Sequence, residues 1–406
     1  MLSQSISVAG VSHRTASLAE RERFALSREA ARRLLADHDG ESLLLMTCNR
    51  TELYADGPPG PLADLLTSAS NDGDRGALFH LEDAAAVRHL FEVAAGLDSM
   101  VVGEPHILGQ VKRSMAEARA AGTIGPVLDE MARRALSVGR RVRRETDLGH
   151  GMPSIPRVAA DLARLVLGDL AGARVLVVGS GKMGGMTADT FRRAGVGTVA
   201  VTNRSPDRAR HVADAVGGVA VGFERLDEEL AGSDIVITCT ASRTPVLTRD
   251  RIASAVADRA ERPLVVIDIA VPRDVAADAR GVAGARLYDL DDLRGWSSAA
   301  IEPATIDAAR AIVDHETRAF EKWSAGRAAV PTIRDLGARA ESILDAEVAR
   351  GSASDVDELR AFGRRIVRKL LHHPITRMRD RTADEGEQYV AVVRDLFGLD
   401  EGNGDR

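Results

Sequence analysis

The sequence predicts a multidomain α/β protein: an N-terminal α+β domain, a parallel doubly wound domain, and an all-helical C-terminal domain. Three observations predict it. Between residues 151 and 295 short apolar runs alternate with helix-length segments, the pattern of a parallel sheet covered on both faces. From about residue 300 onward almost no strand signal remains while helical periodicity continues. Before residue 150 strands and helices mix without regular alternation. The expected domains are therefore 1–150, 151–295 and 296–406.

Composition supports several cores rather than one. The chain has 406 residues, 45% hydrophobic and 28% charged, with aromatics at 3%, so Ala, Val and Leu must fill the interior. No apolar run reaches the roughly 18 to 20 residues that span a membrane, and no membrane partner is expected. Met1 to Ser5 lacks a basic region followed by an apolar core, so no secretory signal is expected. Cys48 and Cys239 are the only cysteines and form no paired ligand spacing; a disulfide framework, a zinc cluster and any other metal site are not expected. A reducing cytoplasm fits best. A net charge of −6 argues against indiscriminate nucleic-acid binding but leaves room for a local basic surface.

Ile6 to Val11 alternates like an opening strand, and Leu43 to Thr47 reads as another. Gly57-Pro58-Pro59-Gly60 and the polar stretch Ser68 to Gly76 read as loops. Residues 84–95 and 110–146 read as helices. The pattern breaks at Gly149 to Pro153, and Ser154 with Pro156 then marks a helix start. Strands are expected at Val175–Val178, Val199–Thr202, Ile235–Cys239 and Leu264–Ile267. Helices are expected at Thr305–Trp323, Ile333–Ala349, Asp355–Leu371 and Glu385–Leu399, punctuated by Pro331 and by Gly351 with Ser352. The helical end is read as a dimerisation domain.

Chemistry concentrates first in Met46-Thr47-Cys48-Asn49-Arg50-Thr51-Glu52. A thiol at a strand end can face a cleft, nearby Arg50 would favour its thiolate, and the thiolate is the nucleophile. The plainer alternative is a small buried hydrophobe. Next, Val175 to Val178 runs into Gly179-Ser180-Gly181-Lys182-Met183-Gly184, a strand, a glycine turn and a helix start. That order suits a Rossmann-like domain, with backbone N–H groups and a helix N-terminus at a pyrophosphate. At the next strand end Asn203-Arg204 replaces the acid of an NAD site, and an arginine there suits the 2′-phosphate of NADP.

Other residues leave alternatives open. His89 lies off the stripe formed by Val87, Leu90, Phe91 and Ala94; it is either a surface histidine or part of a site the sequence does not assemble. Ser99, Glu104, His106 and Gln110 gather among glycines, as a pocket wall or a solvated loop would. Glu104 is suited to grip a substrate ammonium. Arg133, Arg134, Arg140, Arg141, Arg143 and Arg144 make a basic stripe opposite Met131, Ala135, Val138 and Val142, fit for phosphates or simply for water. Cys239 ends a strand and is read mainly as structural, and Asp268 to Asp274 closes another strand where such sheets bind ligands.

Together these motifs resemble the glutamyl-tRNA reductase family along essentially the whole chain. The marks are Gly10 to Ala16, Thr47 to Glu52, His89 through Lys112, the glycine fingerprint, Asn203-Arg204, Ala270-Val271-Pro272-Arg273-Asp274 and Lys369-Leu370-Leu371-His372. The resemblance implies that Cys48 takes the glutamyl group from glutamyl-tRNA as a thioester, which NADPH reduces to glutamate-1-semialdehyde, the first step of tetrapyrrole synthesis by the five-carbon route. It implies that His89 assists as acid or base or by orienting groups. Thr47, Asn49, Arg50, Ser99, Glu104, Pro105, His106 and Gln110 would frame the glutamyl pocket, and Gly179, Ser180, Gly181, Lys182, Met183, Gly184, Asn203 and Arg204 would hold NADPH. It further implies a V-shaped homodimer with a long spinal helix, and a channelling complex with the aminomutase that consumes the aldehyde. The chain departs from the family pattern at His106, where glutamine is expected, and at Pro156. A shikimate-type NADP dehydrogenase would share the fingerprint and Asn-Arg clamp without needing Cys48. A catalytically silent NADP-binding scaffold would need neither thiol nor turnover.

Overall fold

A computed structural model describes residues 5–70, 74–104, 106–149, 154–259, 262–294, 301–327, 329–350, 356–385 and 387–400. The N-terminal domain is built on an antiparallel sheet of β1 (Ile6–Ser12), β2 (Ser42–Met46), β3 (Arg50–Asp56) and β4 (Phe79–Glu82), in the order β2-β3-β1-β4. Both faces are covered. On one side α1 (Leu18–Arg23), α2 (Arg28–Ala36) and α3 (Pro59–Ala69) pack over Ala9, Val11, Leu44 and Leu53. On the other, α4 (Asp83–Ala95), α5 (Ile107–Ala121) and α6 (Pro126–Glu145) pack over Ile6, Val8, Leu43, Leu45 and Tyr54. Ser17 and Glu20 form a capping box at α1, and Ser27 caps α2 through the Ala30 N–H, which fixes where each helix begins.

Several elements differ from the sequence expectation for identifiable reasons. The segment read as one helix over 110–146 is two, because Gly122 takes a left-handed conformation that ends α5, and Pro126 opens α6. Gly57 to Gly60 is only briefly a loop: Pro59 stands at the first turn of α3, where its missing N–H costs nothing. Pro374 lies inside a continuous helix rather than ending one.

The linker enters α7 (Ile155–Leu167) at Ser154, with Pro156 in its first turn. The nucleotide domain then alternates β5 (Arg174–Val178), α8 (Lys182–Arg193), β6 (Thr198–Asn203), α9 (Pro206–Val216), β7 (Val219–Gly222), α10 (Leu226–Gly232), β8 (Ile235–Thr238), α11 (Arg249–Val256), β9 (Leu264–Asp268), β10 (Ala285–Tyr288) and α12 (Leu290–Arg294). All pairings are parallel, in the order β10-β9-β8-β5-β6-β7. Strand order reverses between β5 and β8, the crevice where such sheets bind ligands.

The helical domain comprises α13 (Pro303–Arg327), α14 (Ala329–Arg350), α15 (Val356–Glu385) and α16 (Glu387–Leu396). α13 inserts Ala309, Val313 and Phe320 into the N-terminal core, with Phe320 edge-on to Phe91. It thereby ties the two outer domains together. No described helix is long and apolar enough to cross a membrane.

Candidate active site between the thiol turn and the nucleotide domain

β2 and β3 are joined by a tight turn in which the Thr47 N–H donates to the Arg50 carbonyl at 2.9 Å. Cys48 and Asn49 occupy its tip, and the Asn49 N–H donates to Thr47 Oγ1 at 3.0 Å. The strand pairing on either side of the turn holds the thiol in place. Cys48 is half-buried and packs against the core of the nucleotide domain. A cavity of about 210 Å³ opens beside it, lined by Arg21, Met46, Thr47, Arg50 and, from the nucleotide domain, Val271. The buried Asn49 Oδ1 has no hydrogen-bond partner among the described residues, an acceptor free for a ligand.

Arg50 does not play the part expected of it. It is buried and donates to Glu52 Oε1 at 2.7 Å, to Asp98 Oδ2 at 3.0 Å and to the Asp98 carbonyl. Burial opposes its charge, but Glu52 and Asp98 outweigh burial and hold the guanidinium firmly protonated. Burial would equally raise both acids, yet Arg50 first and then His89 bring Glu52 and Asp98 down to about 2. With its charge answered by two carboxylates, Arg50 has little left for the thiol. Burial, then Glu104, push the Cys48 thiol up to about 12, against smaller opposing effects of Arg21 and Arg50. Arg50 acts on the thiol in the expected direction, but burial and Glu104 outweigh it and keep Cys48 a neutral thiol in this arrangement.

His89 Nε2 lies 3.0 Å from Glu52 Oε1, and its Nδ1 is 3.9 Å from Asp98 Oδ2. Its position off the apolar stripe of α4 is what lets it reach this cluster. Among the described residues its polar partners are Glu52 and Asp98, both bonded to Arg50, which links it to the thiol turn. Tyr54 completes the cluster by donating to Glu52 Oε2 at 2.8 Å.

Ser99 and Glu104 are buried in the loop between α4 and α5. Arg143 fixes that loop from below, donating to the Glu104 carbonyl at 2.9 Å and to the Ala94 carbonyl at 3.1 Å. It thus leaves the solvent stripe to which the sequence assigned it. Burial raises the Glu104 carboxyl above the ordinary carboxylate range. His106 precedes α5 half-buried, and burial, Lys182 and Arg113 all depress its protonation. Gln110 follows one turn on, half-buried. Pro105 lies outside the described residues.

The glycine turn fits a dinucleotide. Gly179 has φ +119°, and a Cβ there would approach the Cys239 carbonyl at 2.9 Å. A Cβ at Gly184 would strike the Gly179 carbonyl at 2.1 Å, so α8 packs closely on β5. A Cβ at Gly181 would meet nothing within 4 Å, which is the open approach a pyrophosphate needs. Ser180 Oγ is buried without a hydrogen-bond partner among the described residues, and Lys182 and Met183 begin α8. Arg204 donates to Ser242 Oγ at 3.1 Å, and both line a cavity of about 170 Å³ with Gly179, Asn203 and Thr240. That guanidinium forms no ion pair among the described residues, as a 2′-phosphate clamp requires. Cys239 directs its thiol to the Val178 carbonyl at 3.4 Å beneath the turn; burial raises its pKa, and its role is structural.

Sequence reasoning missed the groups that join the domains. Arg21 donates to the Cys48 carbonyl at 3.3 Å and to the Asp291 carboxylate. Glu22 accepts from the backbone N–H and the guanidinium of Arg273 at 2.6 to 2.9 Å. Asp268, which burial raises to about 7, accepts from Thr238, Ala270 and Val275 and shapes the loop that carries Val271. In the sequence Leu18-Ala19-Glu20-Arg21-Glu22-Arg23 is only an alternation of acid and base, and nothing local announces an interface.

Residues 9–146 match the family model for the N-terminal domain of glutamyl-tRNA(Glu) reductase, and residues 308–399 match that for its dimerisation domain. Residues 161–296 match the shikimate/quinate 5-dehydrogenase model, so that likeness is confined to the nucleotide domain. The chain is 40% identical to a glutamyl-tRNA reductase of Sorangium cellulosum, covering 96% of this chain and 82% of that protein. It is 41% identical to the one of Rubrobacter xylanophilus, covering 97% and 96%. The solved glutamyl-tRNA reductase of Methanopyrus kandleri shares 31% identity over 98% of this chain and 99% of its own, with a TM-score of 0.50.

Proposed function

The chain belongs to the glutamyl-tRNA reductase family, and we propose that it reduces the glutamyl group of glutamyl-tRNA(Glu) to glutamate-1-semialdehyde through a Cys48 thioester. It is an oxidoreductase with a dehydrogenase-like nucleotide domain. The reaction proposed is the opening step of tetrapyrrole biosynthesis by the five-carbon route, in the cytoplasm. The observation that carries the reading is the placement of Cys48 on a rigid turn whose adjoining cavity is walled by Val271 of the nucleotide domain.

The chemistry proceeds from this chain's residues. Asn49, Glu104 and the Thr47 turn receive the glutamyl group, with Glu104 pairing its ammonium. Answering the Glu104 charge removes the lesser of the two causes that hold the Cys48 thiol protonated, so ionisation becomes easier as substrate arrives although burial still opposes it. Cys48 Sγ then bonds to the ester carbonyl carbon, the bond to the ribose oxygen breaks, and the thiol proton passes to that oxygen. Sulfur donates weakly into the carbonyl, which leaves the thioester more reducible than the ester. Gly179–Gly184 would hold NADPH with Arg204 on its 2′-phosphate, and the cofactor would supply the hydride for that carbonyl carbon. The carbon–sulfur bond then breaks, Sγ regains a proton and the aldehyde departs. Through Glu52 and Asp98, His89 holds Arg50 and with it the turn, an orienting role.

A homodimer is part of the reading. Along α15 the exposed Val356, Leu359, Phe362, Ile366 and Leu370 form one apolar stripe suited to a second copy. The labile aldehyde makes a channelling complex with the consuming aminomutase part of it as well. The deciding experiment is glutamyl-tRNA turnover by Cys48→Ser against wild type, with and without NADPH. Aldehyde from wild type alone, and only with NADPH, is expected, with NADPH binding retained by the variant. Full turnover by Cys48→Ser would end the thioester mechanism.

A further inference from the structure

Beside the thiol cavity lies a larger groove of about 640 Å³, which Gln110 lines rather than the cavity at Cys48. It follows the edge strand β2, with α2 on one bank and α5 on the other. Leu44 and Met46 form its floor, and Met46 also lines the cavity at Cys48, so the two share a wall. Arg28 and Arg32 stand one turn apart on α2, and Arg113 stands on α5. All three are exposed, and none forms an ion pair or hydrogen bond among the described residues. Glu117 lies on the same bank as Arg113, which leaves the rim net positive.

The basic stripe of α6 is different. Arg133 and Arg134 are tied to Asp129 and Glu130, Arg141 to Glu145 and Glu316, and Arg144 to Glu145, while Arg143 is turned inward. Arg140 apart, its charge is answered within the protein. In a chain of net charge −6, an uncompensated cationic rim beside the nucleophile is a local exception. We propose that the α2–α5 groove holds the single-stranded 3′ end of the tRNA, with Arg28, Arg32 and Arg113 on its phosphates. The proposal rests on the reductase reading and adds to it the path by which the substrate reaches Cys48.

The chemistry of the ester supports this assignment. Its carbonyl is one oxygen away from the terminal ribose, so a carbonyl at Cys48 puts the last nucleotides in an adjoining opening. Small alanine walls leave room for bases, arginine planes can stack on them, and guanidinium groups neutralise phosphates.

The test measures anisotropy of labelled tRNA(Glu) and steady-state aldehyde formation for wild type and for Arg28→Ala, Arg32→Ala and Arg113→Ala, singly and together. NADPH binding reports that each variant is folded. Each single change is expected to weaken tRNA binding about fivefold and the triple about a hundredfold, with the salt slope falling by about 2. Turnover at saturating glutamyl-tRNA should stay within about twofold of wild type, because these groups position rather than react. A short single-stranded oligoribonucleotide of the tRNA 3′ end should compete on wild type and fail to on the triple variant. A triple variant with wild-type affinity and salt slope overturns the groove alone. So does competition by the oligoribonucleotide that is undiminished on the triple variant. Wild-type protein that neither binds nor turns over glutamyl-tRNA overturns the reductase reading, and the groove falls with it.

Discussion

Cys48 should be a slow thiol in the free enzyme, and alkylation measures how slow. Its pKa stands at about 12 against an ordinary 9.0, with burial and then Glu104 as the causes. Near neutral pH that shift leaves about a thousandth of the thiolate an unperturbed cysteine would show. A more basic thiolate is intrinsically more nucleophilic, and a Brønsted slope of about 0.4–0.5 recovers about 15- to 30-fold. Native Cys48 should therefore react with iodoacetamide about 30- to 60-fold more slowly than in the unfolded chain, read by mass spectrometry of its peptide. The log rate should climb linearly with pH through at least pH 10 with no earlier plateau. Glu104→Gln removes one raising cause while keeping the shape of the side chain, so its Cys48 should alkylate faster than wild type. A native rate within about threefold of the unfolded chain, or a plateau below pH 9, would refute a buried neutral thiol.

Other outcomes follow from the same geometry. His89→Asn should impair turnover with the fold intact, and on the proposed orienting role the pH profile should keep its shape, whereas loss of a limb would make His89 an acid or base; wild-type rates would make it a bystander. Arg204→Ala should raise the KM for NADPH about 10- to 100-fold while barely changing that for NADH, since only NADPH carries the 2′-phosphate; equal losses for both would remove the clamp. Burial, then Arg50, depress His13 from 6.5 to about 3. The unfolded chain therefore binds a proton that the folded one refuses, and stability falls as pH drops from 6.5 toward 3. By pH 5 this single group should contribute about 2 kcal/mol of destabilisation. His13→Gln should flatten the acid limb of thermal melts, and an unchanged limb would contradict it.

What the sequence made legible was whatever depends on continuous apolar pattern or on tight local geometry. The strands β5, β6, β8 and β9 are buried on both faces, so β5, β8 and β9 appear as Val, Ile and Leu runs and β6 as Val-Ala-Val. The glycine turn was legible because each glycine answers a steric demand within a few residues. β3 was not, because its buried positions include Arg50 and Glu52, whose charges are satisfied by each other and by Asp98. A strand holding its own counter-ions reads as a polar loop. The short β4, β7 and β10 escaped notice because they sit at or near sheet edges with exposed positions. The meeting of His89 with Glu52 joins α4 to β3 across the fold, and no local period encodes it.

The contacts that close the two domains are also those that bury the nucleophile, so closure and thiol reactivity belong to one equilibrium. Arg21 reaches the Cys48 carbonyl with one nitrogen and Asp291 with another, and the Leu18 N–H adds a bond to Asp291 at 2.9 Å. Arg294 donates to the His13 carbonyl at 3.0 Å, and Glu22 holds Arg273. Asp291 is partly exposed, so its pair with Arg21 is screened and worth only about 1 kcal/mol. Asp291→Ala would leave Arg21 buried without its carboxylate, a state relieved only when the domains part and water reaches the guanidinium. Opening also exposes Cys48, so the variant should alkylate at least about fivefold faster than wild type. On the proposed thioester mechanism its reductase rate should fall, because Cys48 would no longer be held against the nucleotide domain, while NADPH binding stays unchanged. Faster alkylation with undiminished reduction would separate the clamp from catalysis, and unchanged alkylation would show that these contacts do not control access to the thiol.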